Sequence, residues 1–275
     1  MRIRRLLSFA AAALLALPVG AQVLTYGTDD GGLETGARLS GGVDWTAIPK
    51  KLHLKWDEEV RFDSDFGRLH KLYSSVGATY KLTPWLRAGV YGSLINTNST
   101  DNGWRNRVRA GFDLQGSMEA DRWKFSLRER LQATTKLYDV NTYQENATAW
   151  ALKSRIKASY DIPHSRFEPY AAVELRNTLN AVNPAYFKYN KSLGRWDCTD
   201  TRYDDIYINR LRFQAGTGWK LARKQLLDIF VVVDSNWNLD IDTSSNGYSR
   251  ASGAPLLTLK KGVFAGLGLS FTFKL

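Results

Sequence analysis

Arginine and lysine recur at every second position in several segments of the chain, and side chains with this spacing could serve a chemical function. The clearest runs contain Arg105, Arg107 and Arg109, then Arg128 and Arg130, then Arg155 and Lys157. Rings of cationic side chains select for anions in channels. Carboxylates on the same surface could instead neutralise the bases and form a polar core. The spacing therefore indicates either an anion pathway or a network of ion pairs.

Strands must position these bases, because side chains at alternate positions share one face only in an extended chain. In the segment 103–116, for example, Val108 and Phe112 lie on the face opposite Arg107 and Arg109. The same two-residue period returns in many segments of about 10 to 15 residues, which is the mark of strands with one apolar and one polar face. We therefore predict an all-β fold.

The length of these strands decides which kind of β-protein to expect. A soluble sandwich also alternates, but its strands have about 5 or 6 residues. Strands of about 9 to 11 residues or more, with a charged face and aromatic residues near their ends, are typical of outer-membrane barrels. Such barrels turn their apolar face to lipid and their polar face to the interior. We predict an antiparallel transmembrane β-barrel of this kind.

Short and long connections alternate along the chain. The short ones lie at 49–51, 83–84, 120–121, 163–165 and 222–224, and the long polar ones at 63–69, 96–103, 139–146, 180–205 and 238–254. Outer-membrane barrels have short periplasmic turns and long outer loops. We therefore expect the short turns on the periplasmic side.

Alternation marks eleven segments, at 34–47, 51–62, 70–82, 85–96, 103–116, 121–137, 147–161, 166–179, 205–221, 225–238 and 260–275. Single-chain bacterial barrels favour an even number of strands. A further strand at Val23–Gly27, followed by a loop at Thr28–Gly32, would give twelve strands with both termini periplasmic. We predict about twelve strands, with ten as the alternative.

The first 21 residues have the three parts of a secretory signal: Arg2, Arg4 and Arg5, an apolar run at 6–17, and small residues at the end. We expect residues 1–21 to be removed and residues 22–275 to form the barrel domain. The net charge of the chain is +11, and three of these positive charges lie in the leader, which leaves +8. Such a balance suits nucleic acid, anionic lipid or an anionic solute. Export argues against nucleic acid.

The last strand carries an unbroken apolar stripe at alternate positions. It contains Leu267, Leu269, Phe271, Phe273 and Leu275. This stripe resembles the carboxy-terminal sorting signal of outer-membrane barrels, although those chains usually end in Phe or Trp rather than Leu. The resemblance implies location in the bacterial outer membrane, with membrane lipid and the barrel-assembly machinery as partners.

Several short patterns resemble the uncharacterised barrel family known as domain of unknown function 2490. They are WDEEVRF at 56–62, VGATYKL at 76–82, RFEPY at 166–170 followed by ELR at 174–176, and NRLRF at 209–213 followed by GWKL at 218–221. They occur in order over most of the chain. Because this family has no established activity, the resemblance implies a fold and a location rather than a function.

The predicted inner face gives the candidate site. Its lumen-lining candidates are Asp57, Glu59, Arg61, Arg87, Arg105, Arg107, Arg109, Arg128, Arg130, Arg155, Lys157, Glu174, Arg176, Arg210, Arg212 and Asp234. With Lys55, Asp113, Lys153 and Asp228, this face holds fourteen bases and six acids. The excess favours a narrow channel for small anionic solutes, and it resembles the arginine-lined lumens of porins for acidic oligosaccharides. Side chains fill small barrels, however, so a non-conducting structural or surface-binding barrel is the alternative.

A lipid hydrolase is a less favoured class. Ser245, Asn246 and Gly247 resemble a fragment of the barrel phospholipase motif, but Thr243 stands where its histidine should be. His164 and Ser165 fall in a predicted periplasmic turn, the wrong end for such an enzyme. Three scattered His and one Cys give no metal-ligand spacing. We therefore expect no enzymatic activity, no metal and no cofactor.

Two carboxylates do not fit the alternation. Glu58 and Glu129 fall on the apolar face of their strands, where a charge facing lipid is unfavourable. Either they lie near a rim of the barrel, or a β-bulge turns them inward.

Overall fold

The computed structural model describes residues 27–63, 65–100, 103–183, 187–198, 200–241, 247–251 and 257–275. No helix in these residues is long and apolar enough to cross a membrane. Their regular elements are all strands: β1 (Gly27–Ile48), β2 (Leu52–Asp63), β3 (Arg68–Lys81), β4 (Leu86–Ser99), β5 (Gly103–Ala120), β6 (Trp123–Lys136), β7 (Thr148–Tyr160), β8 (Phe167–Ala181), β9 (Phe187–Asn190), β10 (Arg195–Cys198), β11 (Asp205–Ala222), β12 (Gln225–Ile241), β13 (Tyr248–Ala251) and β14 (Leu257–Lys274).

Eleven of these strands close into a barrel, in the order β1-β14-β12-β11-β8-β7-β6-β5-β4-β3-β2. The predicted all-β barrel is thus confirmed. Neighbouring strands are antiparallel except β1 and β14, which run parallel from the pair Gly27 and Thr258 to the pair Asp44 and Lys274. The parallel pairing that closes the barrel follows from the odd number of strands, because the first and eleventh strands of an up-and-down series run in the same direction.

The prediction of twelve strands is wrong, as is the predicted loop at Thr28–Gly32. These five residues belong to β1, and Thr28, Asp29 and Asp30 already pair with β14, with a register shift between Asp30 and Leu33. The charges at Asp29 and Asp30 resemble a loop, but in the barrel they lie opposite two lysines of β14, and Lys261 Nζ is 3.4 Å from the Asp30 carboxylate. Residues 23–26 of the proposed twelfth strand lie outside the described residues. The direct pairing of β1 with β14 leaves no place for a strand between them.

The eleven alternating segments themselves all correspond to barrel strands. Their ends shift by a few residues, and β1 begins seven residues before the predicted start at 34. Because β1 and β14 are parallel, the start of β1 and the end of β14 lie at opposite rims. The first barrel strand therefore does not begin at the rim where the last one ends, as the twelve-strand arrangement with both termini periplasmic required. Residues 22–26 lie outside the described residues.

One rim carries the short connections, at 49–51, 82–85, 121–122, 161–166 and 223–224, together with Leu275. We call it the short-turn rim. Lys50, Asp121 and His164 have φ values of 63°, 56° and 57° there, a left-handed conformation that tight turns commonly require.

The opposite, long-loop rim carries the connections at 64–67, 100–102, 137–147, 182–204 and 242–256. The last three are long, but the prediction of long loops at 63–69 and 96–103 is wrong, because β2, β3, β4 and β5 extend into them and leave four and three residues. Two of the long connections contribute β9, β10 and β13, which pair as a separate small sheet.

The two faces of the barrel wall differ sharply in polarity. Large apolar side chains point outward and are exposed on every side of the barrel, as Trp56, Val90, Phe112 and Phe213 illustrate. The stripe of β14 lies on this outer face, where Leu267 is 58% and Leu275 54% exposed. Charged residues instead occupy the interior. The fold is therefore polar inside and apolar outside.

Glu58 and Glu129 remain on the outer face. Each is the seventh residue of its strand, so neither lies at a rim. The pairing is regular at both positions, so no bulge turns them inward. Instead each faces a serine on the next strand: Ser74 Oγ donates to Glu58 at 2.6 Å, and Ser154 Oγ donates to Glu129 at 2.6 Å. Both expectations for these residues were wrong.

Candidate functional site

The lumen is the part of the molecule where charged side chains converge. Unbroken alternation aligns inward residues of adjacent strands directly opposite one another. Arg130 of β6 lies opposite Lys153 of β7, which lies opposite Arg176 of β8, which lies opposite Arg210 of β11. We call these four residues the base row. The row forms because each of the four strands has a base at an inward position, and the register places these positions opposite one another.

A second group, which we call the ion-pair cluster, lies in the lumen. It consists of Arg38, Arg128, Glu174, Arg210, Arg212 and Asp234. Asp234 accepts two hydrogen bonds from Arg212, at 2.5 and 2.7 Å, and one from Arg38 at 2.8 Å. Glu174 accepts from Arg210 at 2.8 Å and from Arg128 at 3.1 Å. Both carboxylate residues are buried.

This cluster joins five strands, because its members come from β1, β6, β8, β11 and β12. Hydrogen bonds to charged groups are stronger than neutral ones, and two-point contact with a guanidinium group adds geometric specificity. Burial of the carboxylates makes the loss of any partner costly. The cluster is thus arranged as a polar core that links these five strands across the lumen.

Smaller contacts hold other bases. Arg130 makes two hydrogen bonds to Asp113, both 2.5 Å long, and its guanidinium lies 4.0 Å from the centre of the Tyr91 ring. Arg61 pairs with Glu59 and lies 4.3 Å from the ring centre of Tyr73. Further cation–π contacts place Lys157 3.6 Å from the Tyr170 ring centre and Arg105 4.6 Å from that of Tyr138. Such contacts favour a cation on the ring face.

Several inward bases lack a carboxylate partner within 4.0 Å in the described structure, among them four on β5, β7 and β8. Among the described residues, Arg109, Lys153, Arg155 and Arg176 form no ion pair within 4.0 Å. Arg109 donates to the hydroxyl of Thr134 at 2.9 Å. Arg176 Nε is buried and has no hydrogen-bond partner in the described part of the chain. The uncompensated positive charge of the lumen is therefore concentrated on β5, β7 and β8.

A cavity of about 420 Å³ lies inside the barrel beside these bases. Three of them, Arg109, Lys153 and Arg155, line it together with Lys55, while Tyr73 and Tyr91 contribute aromatic surface. Four carboxylates also line it, at Asp57, Glu59, Asp113 and Glu174. Since the last three are already paired with arginines, the cavity offers a positively charged surface to a ligand.

The register places all sixteen lumen candidates on the inward face of their strands. The structure brings Arg128, Glu174, Arg210, Arg212 and Asp234 into one cluster. Arg87 stands apart, exposed near the short-turn rim.

Sequence reasoning missed Arg38, Tyr73, Tyr91 and Tyr170. Arg38 falls at an inward position of β1, between the outward Ala37 and Leu39, and that position could have revealed it. The tyrosines carry no such signal, since they resemble ordinary strand residues.

The hydrolase candidates within the described residues do not come together in a site. Ser165 Oγ accepts a hydrogen bond from the Phe167 N–H at 3.0 Å and so serves the turn. Thr243, Ser245 and Asn246 lie outside the described residues. His53 Nδ1 lies 3.1 Å from Asp44, near the short-turn rim. No group of three metal-ligating side chains occurs in the part of the chain that the structure describes.

The family resemblance is confirmed by comparison with known families. A model described as a protein of unknown function, DUF2490, matches residues 45–244, so the chain belongs to this family. The match covers β2 to β12 and thus most of the lumen wall. No curated protein matches the chain.

Proposed function

We propose that this chain is an outer-membrane β-barrel whose basic lumen admits small anionic solutes. The single observation behind the lumen function is the group of bases without carboxylate partners beside the internal cavity. Location in lipid is supported by the outward apolar residues on every side of the barrel. The secretory signal expected at 1–21 supplies export, and the short-turn rim would face the periplasm.

The location has a direct test. The protein should fractionate with the outer membrane, and unheated samples should migrate faster in gel electrophoresis than boiled ones. Recovery as a soluble periplasmic protein would contradict the proposal. In the proposed orientation the start of β1 lies at the outer rim, so a tag placed directly before β1 should be accessible on intact cells.

The stripe of β14 supplies a variant test of assembly. Phe273→Asp should prevent insertion far more than Lys274→Asp, because Phe273 lies on the outer face and Lys274 on the inner one. A charge facing lipid costs more than a charge facing the lumen. The measurement is the amount of heat-modifiable barrel in the membrane fraction. Equal loss in both variants would contradict the role of the stripe in lipid contact and recognition by the assembly machinery.

Passage of anions is tested by conductance in planar bilayers. Under a salt gradient the reversal potential should indicate a preference for anions, because the unpaired bases exceed the free carboxylates around the cavity. Absence of conductance would remove passage as the function.

A non-conducting barrel is the second candidate, and the ion-pair cluster favours it. Side chains from five strands form this cluster within the lumen, as expected where a polar core replaces an open channel. In this case the loops at the long-loop rim would bind a partner at the cell surface. We propose no enzymatic activity for either form, and neither needs a cofactor.

A further inference from the structure

The base row is an unfavourable arrangement unless something neutralises it. Like charges directly opposite each other on adjacent strands are destabilising. The base row places four such charges side by side on β6, β7, β8 and β11. The positive charges of Arg210, Arg109 and Arg176 act on Lys153, and among these neighbours only the carboxylate of Glu174 opposes them.

The carboxylates of the lumen neutralise only the two ends of the row. Asp113 binds Arg130 at one end, and Glu174 binds Arg210 at the other. The second oxygen of Glu174 is taken by Arg128. No carboxylate of the described residues lies within 4.0 Å of the two middle members, Lys153 and Arg176. The middle of the row thus has two positive charges and no carboxylate from the described part of the chain in direct contact with either, although Glu174 acts on both from a greater distance.

We propose that Lys153 and Arg176, together with Arg109, bind a multiply charged oxyanion in the lumen. The ligand is a small solute whose phosphate or carboxylate groups take the place of the missing protein carboxylate. This inference rests on the proposed entry of anions into the lumen, and it specifies where they are held. The structure contributes the opposed register of Lys153 and Arg176 and the cavity that Lys153 and Arg109 line.

The chemistry of the three side chains favours an oxyanion over a halide. A guanidinium group presents paired N–H donors that match two oxygens of a carboxylate or phosphate, while lysine supplies a compact charge. A ligand with two or more negative charges offsets more of the repulsion than a single chloride ion. A cavity of about 420 Å³ also has room for a small organic anion.

The test measures binding to the full barrel purified in detergent micelles, independently of conductance. Inorganic phosphate and citrate are titrated calorimetrically at constant ionic strength, with chloride as the reference anion. We expect one of the two oxyanions, or both, to bind and to raise the unfolding temperature, and chloride to do neither. Binding of phosphate alone would identify phosphate groups as the ligand chemistry, and binding of citrate alone would identify carboxylates.

Variants locate the site. Lys153→Gln and Arg176→Gln should each weaken binding by about tenfold or more, because each removes a charged hydrogen-bond donor. Arg87→Gln is the matched control, since it removes one positive charge from an exposed position near the short-turn rim. Equal binding by the wild type and both base-row variants would overturn the site, as would equal loss in the control.

The outcomes separate this site from the proposed passage. A protein that binds an oxyanion in micelles but does not conduct keeps the site and loses the channel. A protein that conducts anions but binds neither phosphate nor citrate keeps the channel and overturns the site.

Discussion

Two groups of charged residues in the lumen treat the same residue type in opposite ways. In the ion-pair cluster, Glu174 and Asp234 each bind at least two guanidinium groups, and the charges are matched at short distance. On β5 and β7, by contrast, Arg109, Lys153 and Arg155 lack a carboxylate in the described structure. The first arrangement stabilises the protein by itself, whereas the second would be stabilised by the anion that we propose to bind there. Arginine content alone therefore does not identify a binding surface; the positions of the carboxylates do.

Removal of a cluster carboxylate should have the largest effect. Asp234→Asn would leave Arg38 and Arg212 buried without their charge partner, at a cost of about 3 to 5 kcal/mol in the free energy of unfolding. Urea titration of the reconstituted barrel, followed by tryptophan fluorescence, measures this. Asp57→Asn is the control, because Asp57 lines the cavity without an ion pair among the described residues. Equal stability of the two variants would contradict the distinction between the ion-pair cluster and the charged residues that have no partner.

Neutralisation of the bases without carboxylate partners should change the ion selectivity of the barrel instead. Replacement of Arg109, Lys153 and Arg155 by Gln should bring the anion-to-cation permeability ratio close to one in reversal-potential measurements, since their field attracts anions. The triple variant Lys50→Gln, Lys51→Gln, Arg87→Gln removes three exposed charges at the short-turn rim and should retain most of the preference. An equal change of the permeability ratio in the rim variant would contradict the role of Arg109, Lys153 and Arg155 in anion preference.

A single apolar replacement in the base row should stabilise the barrel. Lys153→Met removes one of four opposed positive charges and should raise the free energy of unfolding by about 1 to 2 kcal/mol in buffer without multivalent anions. Lys157→Met is the matched control and should not stabilise, because Lys157 loses its contact with Tyr170. Destabilisation by Lys153→Met in the same urea titration would show that this base already has a partner.

An exposed ion pair should have the smallest effect. Lys260 Nζ lies 2.8 Å from Asp240, the same distance that joins Arg38 to Asp234, but both side chains are about half exposed. Solvent screens such pairs, so Lys260→Gln should cost less than about 1 kcal/mol. A larger loss would mean that burial is not what makes the cluster strong.

The sequence by itself determined the strands and their faces. The two-residue period marked eleven segments and assigned every lumen candidate to its face, because this signal depends only on neighbouring residues. The family was also visible in short patterns such as NRLRF at 209–213, and the matched region confirms it.

Only the tertiary structure decided how the barrel closes and which charges are paired. Parallel closure depends on contact between β1 and β14, at opposite ends of the chain, so the local pattern of Thr28–Gly32 suggested a loop where the barrel has a strand. Arg38 meets Asp234 across 196 residues of sequence, and Glu58 and Glu129 find serine donors on neighbouring strands. Alternation fixes the face on which a side chain lies, but its partner depends on the register between strands, which is set by the closure of the whole barrel.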